Sequence, residues 1–300
     1  MSLSEIRFHA PQDLAEAISL LRKIKKARIL AGGTDLLVDI KQGLSEAKDI
    51  ISLQKIKELK GIEKKDNKIR IGAMVTAQEI ISSSLINQYI PALADAARTM
   101  ASYQIRSMAT IGGNISSAVP SADLPPSLIA AEASIELQCF KSSREVSLSD
   151  FFRGPRETIC RRGELLTSIL VPLPMPKTGI SYKKFTLREA NALAVASVAS
   201  RLTLKRGKID RAAIVLGAVA PTPVLASKTS KFLSGNKPSD SLFEKAALMA
   251  KEEGKPISDM RGSIWFRKEL IRVLTRRALS EALRRAQGKR GEESKSYGTK

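Results

Sequence analysis

Two cysteines and one histidine in 300 residues leave this chain almost no raw material for several kinds of chemistry. Cys139 and Cys160 have no CxxC context and no histidine beside them, so an iron–sulfur cluster or a structural zinc is not expected within this chain alone. Buried or idle thiols are the expectation. The sole histidine, His9, lies close to Pro11 and reads as a surface or packing residue. Triad hydrolysis through histidine and HExxH metal sites therefore lack their parts. Aromatics make up only 4% of the chain, which leaves little base-stacking surface. No segment approaches the roughly 18 uninterrupted apolar residues of a membrane span. The start of the chain, charged at Glu5 and Arg7, lacks the apolar stretch of a secretory signal, and a cytoplasmic location is the expectation.

What is present is a sizeable apolar fraction and a large basic surplus. Hydrophobic residues account for 43% of the chain, enough for a core in each of the two domains that its length suggests. The formal net charge is +20, a field that favours nucleic acid, an acidic membrane or an acidic protein partner. From Ser263 onward there are eleven Lys/Arg against four Glu, a net of +7. Phe266, Leu270, Val273, Leu274, Ala278 and Ala282 recur at helical spacing through that stretch, so one face packs and the other carries the cations into solvent. That reading is preferred to a dedicated RNA-binding helix.

Two glycine pairs about eighty residues apart are the most informative motifs: Ala31-Gly32-Gly33-Thr34-Asp35-Leu36 and Thr110-Ile111-Gly112-Gly113-Asn114-Ile115. Each ends in small polar residues and is read as a loop presenting consecutive backbone N–H groups with no Cβ in the way of an anion, a diphosphate for preference. Asp13–Leu21 is expected to be an amphipathic helix, followed by a strand at Arg28–Ala31 that runs into the first pair. Leu36, Leu37 and Ile40 then continue at helical spacing to a C-cap at Gly43, so a helix N-terminus adds its dipole to that loop. Strands are expected at Asp49–Leu53 and Lys68–Ala73, the latter after an Asp66-Asn67 turn. Thr76–Glu79 is a capping box.

Pro91–Met100 reads as a helix, Gln104–Ala109 leads into the second glycine pair, and Ser116–Ser121 is small and polar enough to stay near a ligand. Asp123-Leu124-Pro125-Pro126 opens a helix through Ala131, with Pro125 where a missing N–H costs nothing. Strands follow at Ser134–Phe140 and Leu165–Val171. Three prolines in Val171–Pro176 form a stiff connector that ends the first domain. Beyond it lie strands at Leu193–Lys205 and Arg211–Ala220 around a turn at Lys205–Lys208. Helices near Lys228–Leu233, Leu242–Glu253 and Phe266–Arg285 complete an α+β pattern. The expected divisions are 1–175, 176–288 and a polar, basic tail at 289–300.

Gln104-Ile-Arg-Ser-Met-Ala-Thr-Ile-Gly-Gly-Asn114 together with Ala31-Gly-Gly-Thr-Asp-Leu36 resembles the FAD-binding medium subunit of the xanthine dehydrogenase / carbon monoxide dehydrogenase family of molybdenum hydroxylases. The likeness extends through Asp123-Leu-Pro-Pro, Leu165–Pro172, Tyr182-Lys-Lys-Phe185 and a C-terminal module of matching size. It implies a PCMH-type (vanillyl-alcohol-oxidase-like) FAD-binding domain of two α/β subdomains, then a small antiparallel sheet with a helical bundle. It also implies that residues Ile29, Leu30, Ala31, Gly32, Gly33, Thr34, Asp35 and Leu36, with Thr110, Ile111, Gly112, Gly113, Asn114 and Ser116, bind FAD. By the same resemblance Asp123 contacts the adenosine half, Leu166 lies by the flavin, and Lys183 or Lys184 approaches the isoalloxazine. No catalytic residue and no metal ligand is expected in this chain.

The residues leave two roles open. Asp123 either caps the helix it precedes or recognises ribose or adenine. Arg106 either fixes the second loop by a salt bridge or touches phosphate. The implied function is electron transfer from a small [2Fe-2S] subunit through FAD to NAD, a quinone or another acceptor, with hydroxylation on a large molybdopterin subunit. The basic surplus then docks on acidic patches of those partners. Alternatives from the residues are a stand-alone flavin reductase of the enolpyruvyl-glucosamine reductase type, a flavin-free nucleic-acid binder, and a family member that has lost its flavin.

Overall fold

A computed structural model describes residues 6–188 and 191–289. Glu5 and most of the expected tail, from residue 290, lie outside the described residues. The chain opens with β1 (Arg7–His9), α1 (Leu14–Lys23), β2 (Arg28–Leu30), α2 (Leu36–Lys41) and β3 (Asp49–Ser52). Asp13 caps α1 by accepting from the Glu16 N–H, and Gly43, at φ 74°, closes α2 as the Leu44 N–H reaches back to the Asp39 carbonyl. The three strands form a parallel sheet in the order β1-β3-β2, which leaves β2 on an open edge.

Arg7 and His9 on β1 both bond the buried Asp49 of β3, at 2.7–2.9 Å, which gives the only histidine a bracing role. Arg7 first, then His9, hold the Asp49 carboxyl down to about 2. A folded pKa below the ordinary carboxylate value of about 3.9 contributes stability above that value and loses it as pH falls toward the folded one. Acid unfolding followed by circular dichroism should therefore be less steep for Asp49→Asn than for the wild type between about pH 4 and pH 2. Equal slopes would remove Asp49 as the sensing group.

Next come β4 (Ile62–Lys65) and β5 (Lys68–Gly72), joined by an Asp66-Asn67 turn with both residues at positive φ. Six helices follow: α3 (Ala77–Ser82), α4 (Ser84–Tyr89), α5 (Pro91–Arg98), α6 (Tyr103–Arg106), α7 (Ile111–Ser116) and α8 (Leu124–Ala130). Both halves of the Thr76/Glu79 capping box form. After β6 (Ser134–Gln138), β7 (Ser143–Ser147), β8 (Phe152–Gly154), β9 (Glu157–Thr158) and β10 (Leu165–Pro172), the second sheet is antiparallel in the order β4-β5-β10-β6-β7. One face of it buries Ile69, Ile71, Ile135, Leu137, Ile169 and Val171 against the helices.

The C-terminal part is an antiparallel sheet of β11 (Thr178–Phe185), β12 (Ala196–Lys205), β13 (Lys208–Gly217) and β14 (Val224–Leu225), with α9 (Ser227–Leu233), α10 (Asp240–Glu253) and α11 (Ile264–Ala286) on one face. Strand alternation divides β11 between two neighbours. Ile180 and Tyr182 join the first core beside α5 and α8, whereas Ser181 donates to the Ala278 carbonyl of α11. The core thus runs past the proline connector. Many α11 cations are paired internally, Arg267 with Asp259, Lys268 with Glu252, Arg272 with Glu244 and Glu269, and Arg285 with Asp95 and Glu281. Arg276 and Arg277 face solvent, as the amphipathic pattern requires.

Candidate functional site

The first glycine pair leaves the open edge strand β2, where Ile29 is exposed and Leu30 half-buried. A Cβ on Gly32 would stand 1.9 Å from the Met108 carbonyl oxygen, so only glycine lets this turn lie against the backbone ahead of the second pair. Gly33 adopts φ 74°, and a Cβ there would touch the side chains of Leu30 and Leu37. The turn carries the N–H groups of Gly32, Gly33, Thr34, Asp35 and Leu36 in succession. Among the described residues none of these five donates a hydrogen bond. Five consecutive free donors suit an anion with several oxygens.

The second pair is built differently, and the expectation of a second open loop is corrected. Thr110 is an N-cap, and Ile111 to Ser116 form the helix α7, so both glycines stand in its first turn. Every backbone donor there is engaged: Ile111 bonds the Val75 carbonyl, Gly112 the Ala73 carbonyl, Gly113 the Thr110 hydroxyl and Asn114 the Thr110 carbonyl. Glycine disfavours a helix interior, but a Cβ on Gly112 would stand 2.7 Å from both the Cβ and the carbonyl oxygen of Ala73, so close packing overrides the local preference. Gly113 turns toward the first pair, where a Cβ added to it would stand 3.9 Å from the Ala31 Cβ. The two pairs therefore share one site. The first offers backbone donors, the second a close-packed floor.

Around that site, Ile29, Leu37, Val38 and Met108 are exposed, and α2 buries none of its residues. Arg156 ties α2 to the end of α7: its guanidinium pairs with Asp39 at 2.9 Å and its N–H donates to the Ala118 carbonyl. Asn114 accepts the Leu124 N–H through Oδ1, which leaves its amide donors available, and Ser116 is exposed at the end of α7. Arg106 donates to the Met100 carbonyl at 2.8 Å, so it braces the approach to the second pair through backbone rather than through a salt bridge. Leu166 is buried on β10, where Thr167 accepts from Ala73, the residue that in turn accepts from Gly112.

Asp123 begins α8 but makes no side-chain cap. Its carboxylate instead accepts from the Tyr182 hydroxyl and the Lys184 ammonium, both at 2.9 Å. Burial pushes its pKa up against the pull of Lys184, and burial likewise pushes the Tyr182 phenol well up. The sheet also separates the two candidate lysines. Lys184 lies on the face toward Asp123, whereas Lys183, its pKa lowered by burial, neighbours Asp95 and the α11 arginines. Met108, Ala73 and Thr99 leave no signal in the sequence, because they act through their backbone carbonyls, which any residue type supplies. Tyr182, whose hydroxyl reaches Asp123, carries none beyond its place in the family-like stretch.

Neither thiol belongs to a fully buried residue, Cys160 being exposed and Cys139 half-buried; Cys160 Sγ donates to the Glu164 carbonyl and partial burial of its thiol pushes it up to about 11, while hydrogen bonding from Ser142 lowers Cys139. Among the described residues no group of three or more His, Cys, Asp or Glu is placed to hold a metal, and no helix is long and apolar enough to cross a membrane.

A glycine-backed row of free donors beside exposed apolar residues suits a ligand with both phosphate oxygens and an apolar ring, and comparison with known proteins gives the class of the chain. The FAD binding domain in molybdopterin dehydrogenase matches residues 4–174, and the CO dehydrogenase flavoprotein C-terminal domain matches residues 180–282. The chain belongs to the family of FAD-binding medium subunits of molybdenum hydroxylases, and is an FAD-dependent oxidoreductase subunit. It is 35% identical over 277 residues to the glyceraldehyde dehydrogenase medium chain of Sulfolobus acidocaldarius, covering 92% of this chain and 98% of that one. It is 34% identical to the carbon monoxide dehydrogenase medium chain of Afipia carboxidovorans, covering 93% and 97%. A solved carbon monoxide dehydrogenase from Hydrogenophaga pseudoflava superposes with a TM-score of 0.91 at 31% identity, over 95% of this chain and 99% of that one. The PCMH-type flavin domain followed by a small antiparallel sheet with helices is thereby the fold of this chain.

Proposed function

We propose that this subunit passes electrons from iron–sulfur clusters on a small [2Fe-2S] partner to NAD or another acceptor, within a cytoplasmic complex whose large molybdopterin subunit carries out the hydroxylation. Bound FAD supplies the redox chemistry. The free N–H groups of Gly32 to Leu36 hold its diphosphate, and this row of donors is the observation that carries the reading. Thr34, Asn114 and Ser116 add short polar side chains, and the helix of Gly112–Gly113 forms the floor. Leu166 stands behind that floor, and Asp123 and Lys184 close the side nearest the C-terminal sheet, with Lys183 on the opposite face of β11. The exposed apolar residues Ile29, Leu37, Val38 and Met108 exclude water beside the cofactor. Residues 1–175 form the flavin domain and 176–288 the module covering it, in keeping with the spans of the two family matches. Part of the +20 charge meets acidic partner surfaces.

With no group of three or more His, Cys, Asp or Glu among the described residues placed to hold a metal, the chain loaded with FAD should not oxidise glyceraldehyde, carbon monoxide or xanthine, the substrates after which its relatives are named. Adding small and large subunits should restore turnover of one of them, with assembly weakening as salt rises. Turnover by this chain alone would contradict the proposal.

A further inference from the structure

One side chain from the C-terminal sheet reaches into the flavin domain at a position that bears on the whole site. The Lys184 Nζ donates to the Thr99 carbonyl at 3.0 Å and to Asp123 Oδ2 at 2.9 Å. Its side chain is 2% exposed. Thr99 ends α5 and Asp123 begins α8, so the two acceptors are the two ends of one segment. That segment contains Met108, whose carbonyl backs Gly32, and the helix with Gly112 and Gly113. Asn114 couples the glycine helix directly to the first turn of α8 through the Leu124 N–H.

We propose that Lys184 is a positioning residue for the FAD site, a staple that closes residues 99–123 into a fixed loop and so holds both glycine pairs at the spacing the cofactor requires. The inference rests on the assignment of the two pairs to FAD. A carbonyl and a carboxylate are both acceptors and repel each other, so a buried donor with a positive charge is what can join them. Tyr182, two residues earlier on the same face of β11, satisfies the second carboxylate oxygen. The C-terminal module therefore has a part in cofactor retention through the joint that Lys184 makes. Lys184, with both its bonds made to protein, acts through the loop.

The test uses the full chain freed of flavin, with FAD affinity read by fluorescence quenching and backbone mobility by amide hydrogen exchange. Lys184→Met should raise the FAD Kd about tenfold or more, because one partner of a buried pair is removed. It should speed exchange in residues 100–122 while leaving β12, β13 and α10 unchanged. Lys184→Arg, which keeps charge and donors, should recover most of the affinity. Asp123→Asn/Lys184→Met should be no weaker than the worse single variant, since both act on one joint. If Lys184→Met does not fold, Tyr182→Phe loosens only the Asp123 end and should raise the Kd and the exchange of residues 114–123 by less. An unchanged Kd in the folded variant, or faster exchange spread evenly over the chain, overturns the staple. A wild-type chain that binds no FAD overturns the loop assignment with it, whereas wild-type binding with an unaffected variant overturns the staple alone.

Discussion

Gly32→Val should purify colourless. The added Cβ would fall 1.9 Å from the Met108 carbonyl oxygen, and backbone cannot yield as a flexible side chain can. Relief requires the two segments to part by more than about 1 Å, since non-bonded carbon and oxygen repel steeply inside van der Waals contact. The row of N–H groups that follows then loses its aim at the diphosphate. Each charge-assisted hydrogen bond lost is worth about 1.5–3 kcal/mol, so FAD affinity should fall by about a hundredfold or more. Gly113→Val separates cofactor loss from fold loss. A Cβ there crowds the Thr110 hydroxyl at 2.9 Å and reaches ordinary contact with the Ala31 Cβ at 3.9 Å, and displacing the hydroxyl costs one helix cap, about 1 kcal/mol. The Gly113 variant should therefore unfold near the wild-type midpoint in urea yet retain little flavin. The flavin-to-protein absorbance ratio reads both variants, and a yellow Gly32→Val protein with a normal ratio would refute the packing of the two pairs.

The second large effect is expected at Gly179, where β11 meets the long C-terminal helix. Ala278, Ala282 and Ala286 repeat every four residues along α11 and present a small-residue stripe to the strand. Ser181 donates to the Ala278 carbonyl at 2.6 Å, and Arg285 donates to the Ile180 carbonyl at 2.8 Å. A Cβ on Gly179 would stand 2.0 Å from the Ala282 carbonyl oxygen and 2.5 Å from the Ala286 N. Gly179→Val must lift the helix off the strand, an overpacking at the upper end of the usual range, about 3 kcal/mol. Urea unfolding followed by circular dichroism should show the loss as a lower midpoint, and an unchanged midpoint would mean that α11 slides along β11 at little cost. Gly179 lies on the α11 face of β11 and Lys184 on the other, so loss of flavin from this variant would follow only from wider disruption of the strand.

The local signals that were legible in the sequence are those with a short-range cause. Asp13 and Thr76 cap the helices they precede, Gly43 closes α2 in the left-handed region, and Asp66-Asn67 turns one hairpin. Elements whose cause is a distant partner were not legible. Ile62–Lys65 carries three charges in four residues and Ser143–Ser147 has Val146 as its one apolar side chain, so neither looks like a strand until β5 and β6 pair with them. Strand β11 was visible only as a stretch of family likeness around Tyr182–Phe185, because its Gly179, Ser181 and Lys183 face a helix a hundred residues away.

At the site the sequence showed both glycine pairs and the order in which they come, but not that they differ. The helical state of the second pair depends on Ala73 and Val75, which accept its first N–H groups. Asp123 preceding a Leu-Pro-Pro helix has the pattern of a cap, and only the fold brings Tyr182 and Lys184 to its carboxylate instead. The choice between Lys183 and Lys184 likewise depends on which face of β11 each occupies, a matter of register that residue type alone does not set.

The most direct measurement is a crystal structure of this chain grown with FAD. The diphosphate oxygens are expected within hydrogen-bond distance of the backbone nitrogens of Gly32 to Leu36, with the Gly112–Gly113 helix packed beneath them. A flavin found elsewhere, with those five N–H groups still facing solvent, would contradict the assignment of the cradle and every role built on it.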